Sequence, residues 1–145
     1  MEKQVKQVLF SCTLNAIRSV MAEALFNKIA PDNWKSVSCG VIAGPPDGFT
    51  FAVMEEMGIL LDLNRQPKLF ADVNPDRVDY AVSLSVEAKY HIDKWSGLVP
   101  HEHWLVKEPF SADENREVQL KHYRLIRDEI STYVVQLIKQ ITDNT

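Results

Sequence analysis

Val8–Leu25 reads VLFSCTLNAIRSVMAEAL, an apolar run that breaks at a cysteine and resumes beyond an arginine with helical spacing. Val8, Leu9 and Phe10 are contiguous, the pattern of a strand buried on both faces as in a parallel sheet. Ile17, Val20, Met21, Ala24, Leu25 and Ile29 then recur three or four apart until Pro31-Asp32-Asn33 stops them, which predicts a helix. A strand over Val5 to Phe10 therefore feeds a helix through a short loop that carries Cys12 and Arg18.

In open α/β sheets ligands bind beyond the carboxyl ends of the strands, where Cys12 to Arg18 would lie. The start of the following helix offers unpaired N–H groups and a positive dipole end, so an oxyanion can rest there without a cage of cations. The same field can stabilise a Cys12 thiolate. Arg18 adds a planar fork able to hold two oxygens of a phosphate-like group. Thr13, Leu14, Asn15, Ala16 and Ile17 supply enough backbone to curl their amides around one anion while the guanidinium comes back over it. Ser19 can donate a hydrogen bond to the Cys12 sulfur, and Asn15 can tie the loop to itself while tolerating an unusual backbone angle.

The remaining chain repeats the strand-then-helix order. WKSVSCGVIAG alternates Val37, Cys39 and Val41 against Ser36, Ser38 and Gly40, the period of a half-buried or edge-ward strand. The turn-rich GPPDGF precedes a short helix over Phe49 to Met57, closed by Gly58. VDYAVSLS from Val78 reads as a third strand and EHWLV around Trp104 as a fourth. Leu120, Tyr123, Ile126, Ile130, Val134, Leu137 and Ile141 then stripe one face of a long last helix. These elements predict one three-layer α/β domain over residues 1–145, with a four-stranded sheet flanked by helices.

A chain of 145 residues, 46% of them hydrophobic, fills one core and is too short for two. The formal charge is −4, with no basic block to neutralise a run of phosphates, so nucleic acid is not an expected partner. No stretch approaches the roughly 18 apolar residues of a membrane helix, and MEKQVKQVLF is too charged and short in apolar run for a signal peptide. The expectation is a cytoplasmic protein with no membrane partner, in which Cys12 and Cys39 stay free thiols. His91, His101, His103 and His122 are too dispersed to define a tetrahedral metal set.

The run VLFSCTLNAIRSVMAEAL resembles the signature of the low-molecular-weight protein tyrosine phosphatase family, which also contains thioredoxin-coupled arsenate reductases. Cys12, Asn15, Arg18 and Ser19 match the signature in order, and Met21-Ala22-Glu23 matches next to it. The likeness continues through SVSCGVIAG, PDGFTFAVMEEMGI, VDYAVSLSVEA and HWLVKEPF. It implies a parallel sheet, Cys12 as nucleophile, Thr13 to Arg18 as phosphate-binding loop, Arg18 as clamp and Ser19 as support for the thiolate. It further implies a phosphomonoester hydrolase working through phosphocysteine, with no cofactor and no metal. A phosphate or aryl phosphate, a phosphotyrosine protein among them, would be its substrate, and the protein a monomer or weak dimer.

Three positions depart from the family pattern. Glu108-Pro109 stands where family phosphatases have an aspartate before proline, so Glu108 inherits the general acid's place with one methylene more; Glu102, Asp113 and Glu114 are alternative carboxylates. Leu14 stands where many relatives have glycine. Ile17 stands where some have a second cysteine, and Ser83 and Ser85 lie in the segment where arsenate-reducing relatives place a redox pair. Phe49 and Phe110 each fit either an aryl-binding wall or the core. Two other functions stay open: arsenate reduction with an external thiol, and a weakly active module that binds phosphate or phosphoproteins.

Overall fold

The computed structural model describes residues 4–95, 97–109 and 115–143. Four strands, β1 (Lys6–Cys12), β2 (Trp34–Gly40), β3 (Tyr80–Ser83) and β4 (His101–His103), make one parallel sheet in the order β2-β1-β3-β4. The helices are α1 (Arg18–Ile29), α2 (Gly48–Glu55), α3 (Val86–Asp93) and α4 (Arg116–Asp143). The chain steps from β1 to one side to form β2 and then to the other to form β3. The crevice opens where the order reverses, beyond the carboxyl end of β1.

Alternate residues of β1 feed two cores, as its apolar run requires. Val8, Phe10 and Cys12 face a large cluster built with Met21, Phe26, Trp104 and the α4 stripe from Leu120 to Ile141. Leu9 faces a smaller one with Cys39, Val78, Ala81, Ile92 and Val99. Phe10 lies between Phe26 and Trp104, with ring centroids 5.8 and 5.4 Å away. The α2 helix starts where Asp47 accepts hydrogen bonds from Phe49 N and Thr50 N, and Gly58 takes a left-handed φ of 76° just beyond its end.

Three details differ from the sequence expectation. β2 lies at the sheet edge, as its alternation allows, but it is not half-buried: Ser36, Ser38 and Gly40 on its polar side are buried. The two hydroxyls are accommodated by bonds to α1: Ser36 Oγ to Glu23 O and Asn27 Oδ1, and Ser38 Oγ to the Glu23 carboxylate. The fourth strand ends at His103, before Trp104, whose N–H still reaches Ser83 O at 2.9 Å. The α3 helix has no counterpart in the periodicity, because only Ala88 and Ile92 of its eight residues are buried while Val86 and Tyr90 are 74% and 63% exposed.

Candidate active site

The loop after β1 is shaped by what its carbonyls bond to. Cys12 O and Thr13 O accept from Val41 N, Thr13 O also from Ile42 N, and Leu14 O from Gly44 N, all between 2.9 and 3.2 Å. Asn15 O accepts from Arg65 at 3.2 Å. In a trans peptide the N–H lies opposite the C=O. Anchoring four successive carbonyls on one side therefore turns the N–H groups of Thr13, Leu14, Asn15 and Ala16 to the other. The α1 helix begins at Arg18 with no side chain capping it and no acidic residue in its first turn, so its positive end adds to the same concavity.

Asn15 has a left-handed φ of 52°, a conformation that costs an ordinary L-residue roughly 1–2 kcal/mol and asparagine less. Its side chain is fully engaged. Oδ1 accepts from Lys68 N at 2.9 Å and from Arg65 at 3.3 Å, which fixes the amide orientation, and Nδ2 donates to Ser38 Oγ at 2.9 Å and Ser19 Oγ at 3.0 Å. Ser38 in turn gives its proton to Glu23. Because Ser19 Oγ accepts from Asn15, its own proton is free for Cys12 Sγ, 2.9 Å away. A chain of polarised bonds thus runs from Glu23 through Ser38, Asn15 and Ser19 to the sulfur.

Leu14 keeps an ordinary negative φ, and its bulk fits because residue 44 lacks a side chain: a Cβ on Gly44 would lie 2.7 Å from Leu14 Cβ. Ile17 is the last residue before α1 and packs on the large core. Gly40 matters more. A Cβ there would fall 2.7 Å from Asn15 N and 2.9 Å from Leu14 C, both backbone atoms that cannot yield without moving the loop. Gly40→Ala is expected to displace the loop and lower turnover by about a hundredfold, since a shift near 1 Å has that effect on a positioned site. The rate at which Cys12 is alkylated by iodoacetamide, compared with wild type, reports the displacement, and an unchanged rate would mean the loop tolerates the shift.

Arg18 is almost wholly buried, with 9% of its side chain exposed. Its Nη1 donates to Leu84 O at 2.8 Å and Val106 O at 3.0 Å, tying the ends of β3 and β4 to the loop, and its Nη2 meets Glu108 Oε1 at 3.2 Å. Cys12, Leu14, Ala16, Ile17, Arg18 and Glu108 enclose a cavity of about 20 Å³, room for roughly one water-sized sphere. Glu108, 64% exposed, covers its mouth from the far end of the chain. Thr13 Oγ1 donates to Glu87 at the start of α3, at 3.2 Å.

The other candidates lie elsewhere. Glu102 accepts from Tyr80 OH and Trp104 Nε1 and is a structural carboxylate of β4. Asp113, Glu114 and Phe110 fall outside the described residues. Phe49 packs on Tyr123, ring centroids 5.2 Å apart, facing α4. His91 stacks on Phe70, His101 pairs with Asp93 at 3.4 Å and His103 Nδ1 meets Ser83 Oγ at 2.7 Å. Among the described residues no three His, Cys, Asp or Glu side chains are grouped to hold a metal, and no helix is long and apolar enough to cross a membrane. Cys39 pairs in register with Ser11, not Cys12, and belongs to the opposite core. Burial first, and then the neighbouring Cys12, hold its thiol well above the ordinary range. Sequence reading missed Arg65, Ser38, Gly40 and the carbonyls of Leu84 and Val106, none of which belongs to a local motif around Cys12.

Residues 7–145 match the family model for low molecular weight phosphotyrosine protein phosphatase. The arsenate reductase of Bacillus subtilis strain 168 is 32% identical over 129 residues, covering 86% of this chain and 89% of that protein. Among solved structures, an arsenate reductase from Archaeoglobus fulgidus superposes with a TM-score of 0.72 at 31% identity, over 91% of this chain and 98% of that one. The arginine phosphatase YwlE, as a cysteine-to-serine mutant with a phosphorylated active-site serine, superposes with a TM-score of 0.73 at 26% identity, over 94% and 95%.

Proposed function

The chain belongs to the low molecular weight phosphotyrosine protein phosphatase family, whose members are capable of cysteine-based phosphoryl chemistry, and from that premise we propose that it hydrolyses phosphate monoesters through a phosphocysteine intermediate. The observation that carries the proposal is that Cys12, Arg18 and Glu108, the last two 90 residues apart, line one pocket at the carboxyl edge of the sheet. Each acts at a different atom of the substrate. The Cys12 thiolate attacks phosphorus in line with the ester oxygen, forming the S–P bond as the P–O bond breaks. Arg18 and the loop's N–H groups hold the three nonbridging oxygens, and Ser19 steadies the sulfur. Glu108 gives its proton to the leaving oxygen, then takes one from the water that cleaves phosphocysteine and releases inorganic phosphate.

Glu108 has a second effect in this reading. Its carboxylate pairs with the guanidinium nitrogen that would hold a phosphate oxygen, so a phosphate must displace it. Glu108→Gln is expected to lower kcat about 10²- to 10⁴-fold, the usual worth of a positioned acid and base. Competitive inhibition by inorganic phosphate should tighten in the same variant, because a negative charge has left the mouth of the pocket. A Glu108→Gln enzyme with wild-type kcat would take the acid's role away from this residue.

A second reading is favoured by the relatives named arsenate reductase. Arsenate has the shape and charge of phosphate, and Cys12 can attack arsenic with loss of water to give a thiol-bound arsenate. Completing the reduction takes two electrons. Cys39, protonated and on the other face of the sheet, is not placed to supply them. An external thiol must attack the Cys12 sulfur, release arsenite and leave a mixed disulfide, which a second thiol reduces. The test is one matched assay of wild type and Cys12→Ser on aryl phosphate, alkyl phosphate, phosphotyrosine peptide, phosphoarginine and arsenate with added thiols. Hydrolysis that depends on Cys12 supports the first reading; thiol-dependent arsenite release without hydrolysis establishes the second in its place.

A further inference from the structure

The rear of the anion loop is held by a second guanidinium. Arg65 reaches Asn15 twice, at the backbone oxygen through Nη1 and at Oδ1 through Nη2, and its Nη2 also lies 3.5 Å from Ser38 Oγ. The segment that carries it is built to aim it. Arg65 N bonds Asp62 O, Asn64 N bonds the Asp62 carboxylate, and three residues on Lys68 joins the loop and the sheet at once, its N–H on Asn15 Oδ1 and its carbonyl accepting from Gly40 N. A planar fork presents two nitrogens in fixed positions to the two acceptors of one residue, where an ammonium presents one nitrogen on a flexible stem.

We propose that Arg65 is a positioning residue for the Cys12–Arg18 loop: by holding the Asn15 carbonyl and amide from behind, it aims the Ala16 N–H at the bound oxyanion and leaves the Ser19 proton to the Cys12 sulfur. The first effect follows from peptide planarity, since the Ala16 N–H points away from the carbonyl that Arg65 pulls back. The second follows from the amide. With Oδ1 committed to Arg65 and Lys68 N, the Asn15 NH2 can only face Ser38 and Ser19, so Ser19 accepts there and donates to sulfur. A positive charge at the rear also favours an anion in front.

The proposal rests on the reading of this loop as the anion site, and the experiment separates the two. Wild type, Arg65→Gln and Arg65→Lys, each as the full chain, are compared for inorganic phosphate affinity, kcat and KM on an aryl phosphate, and the rate at which iodoacetamide alkylates Cys12 at fixed pH. Arg65→Gln is expected to weaken phosphate binding roughly ten- to a hundredfold, the worth of lost charge-assisted bonds, and to lower kcat and slow alkylation with it. Arg65→Lys should fall between. Adding Ser38→Ala to Arg65→Gln should cost less than the two separate losses combined, because both act through Asn15. Wild-type phosphate affinity and alkylation in Arg65→Gln, or a lower melting temperature as its sole effect, would overturn the proposal. If Arg65→Gln does not fold, Arg65→Lys decides: a loss of threefold or more in phosphate affinity supports it and equality with wild type overturns it. A wild-type chain that binds no phosphate instead overturns the anion-site reading, and the alkylation rates still judge Arg65.

Discussion

Cys12→Ser is expected to lower phosphatase turnover by at least about 10⁴-fold, in the range seen when an enzyme's nucleophile is removed. A hydroxyl needs a base to become a nucleophile, and the partner of Cys12 Sγ is a hydroxyl, Ser19, that itself receives a hydrogen bond from Asn15. Neither Ser19 nor Asn15 is a base that could take the serine's proton. Anion binding should survive, because the loop carbonyls are anchored by Val41, Ile42, Gly44 and Arg65, none of which touches the sulfur. Inorganic phosphate should bind Cys12→Ser with an affinity close to that of wild type, since the backbone that would hold it keeps its anchors. The measurements are kcat on an aryl phosphate and phosphate affinity by calorimetry. Turnover near the wild-type rate would exclude the covalent route.

Arg18→Lys should do damage in two separable ways. A lysine keeps the charge but presents one nitrogen where the guanidinium presents a fork, so kcat/KM should fall about 10²- to 10³-fold, as when a transition-state donor is removed. The second loss is structural. Arg18 Nη1 is shared between Leu84 O and Val106 O, and an ammonium that reaches for substrate leaves at least one of these buried carbonyls unpaired. That costs about 1–3 kcal/mol, or roughly 3–10 °C in melting temperature for a chain of this size. Thermal unfolding and kinetics together check it. Full kcat/KM in Arg18→Lys would show that the fork is dispensable to catalysis, and an unchanged melting temperature that it does not hold the strand ends.

Two arginines meet this loop, Arg18 at the pocket and Arg65 on Asn15 behind it, and they were not equally visible. Arg18 stands six residues after Cys12 at the start of a helix, so spacing alone points to it. Arg65 lies 50 residues from Asn15 in a stretch with neither helical nor strand period. Its place depends on the crossover from β2 to β3, where Leu69 bridges to Gly40 and brings the preceding residues against the loop. Gly40 was hidden for the same reason: in sequence it is the end of an alternating strand, and only its approach to the Leu14–Asn15 peptide gives it a purpose. Glu108 was legible as a carboxylate before proline, whereas its pairing with Arg18, 90 residues away, is decided by the fold.

Local pattern determined the order of the four strands and of α1, α2 and α4, the buried run of β1, the α4 stripe and the residue types of the loop between Cys12 and Ser19. Those features are carried by neighbours in the chain, through the periods of helix and strand and the chemistry of side chains a few residues apart. The tertiary structure decided which face of β2 is buried, that α3 is a helix, how the loop carbonyls are held and what covers the pocket. The physical reason is that each of these depends on a partner from another element: the α1 polar groups beneath Ser36 and Ser38, the core that takes Ala88 and Ile92, and the Arg65 and Glu108 side chains behind and in front of the loop. Hydrogen bonds and burial across such distances leave no period in the sequence.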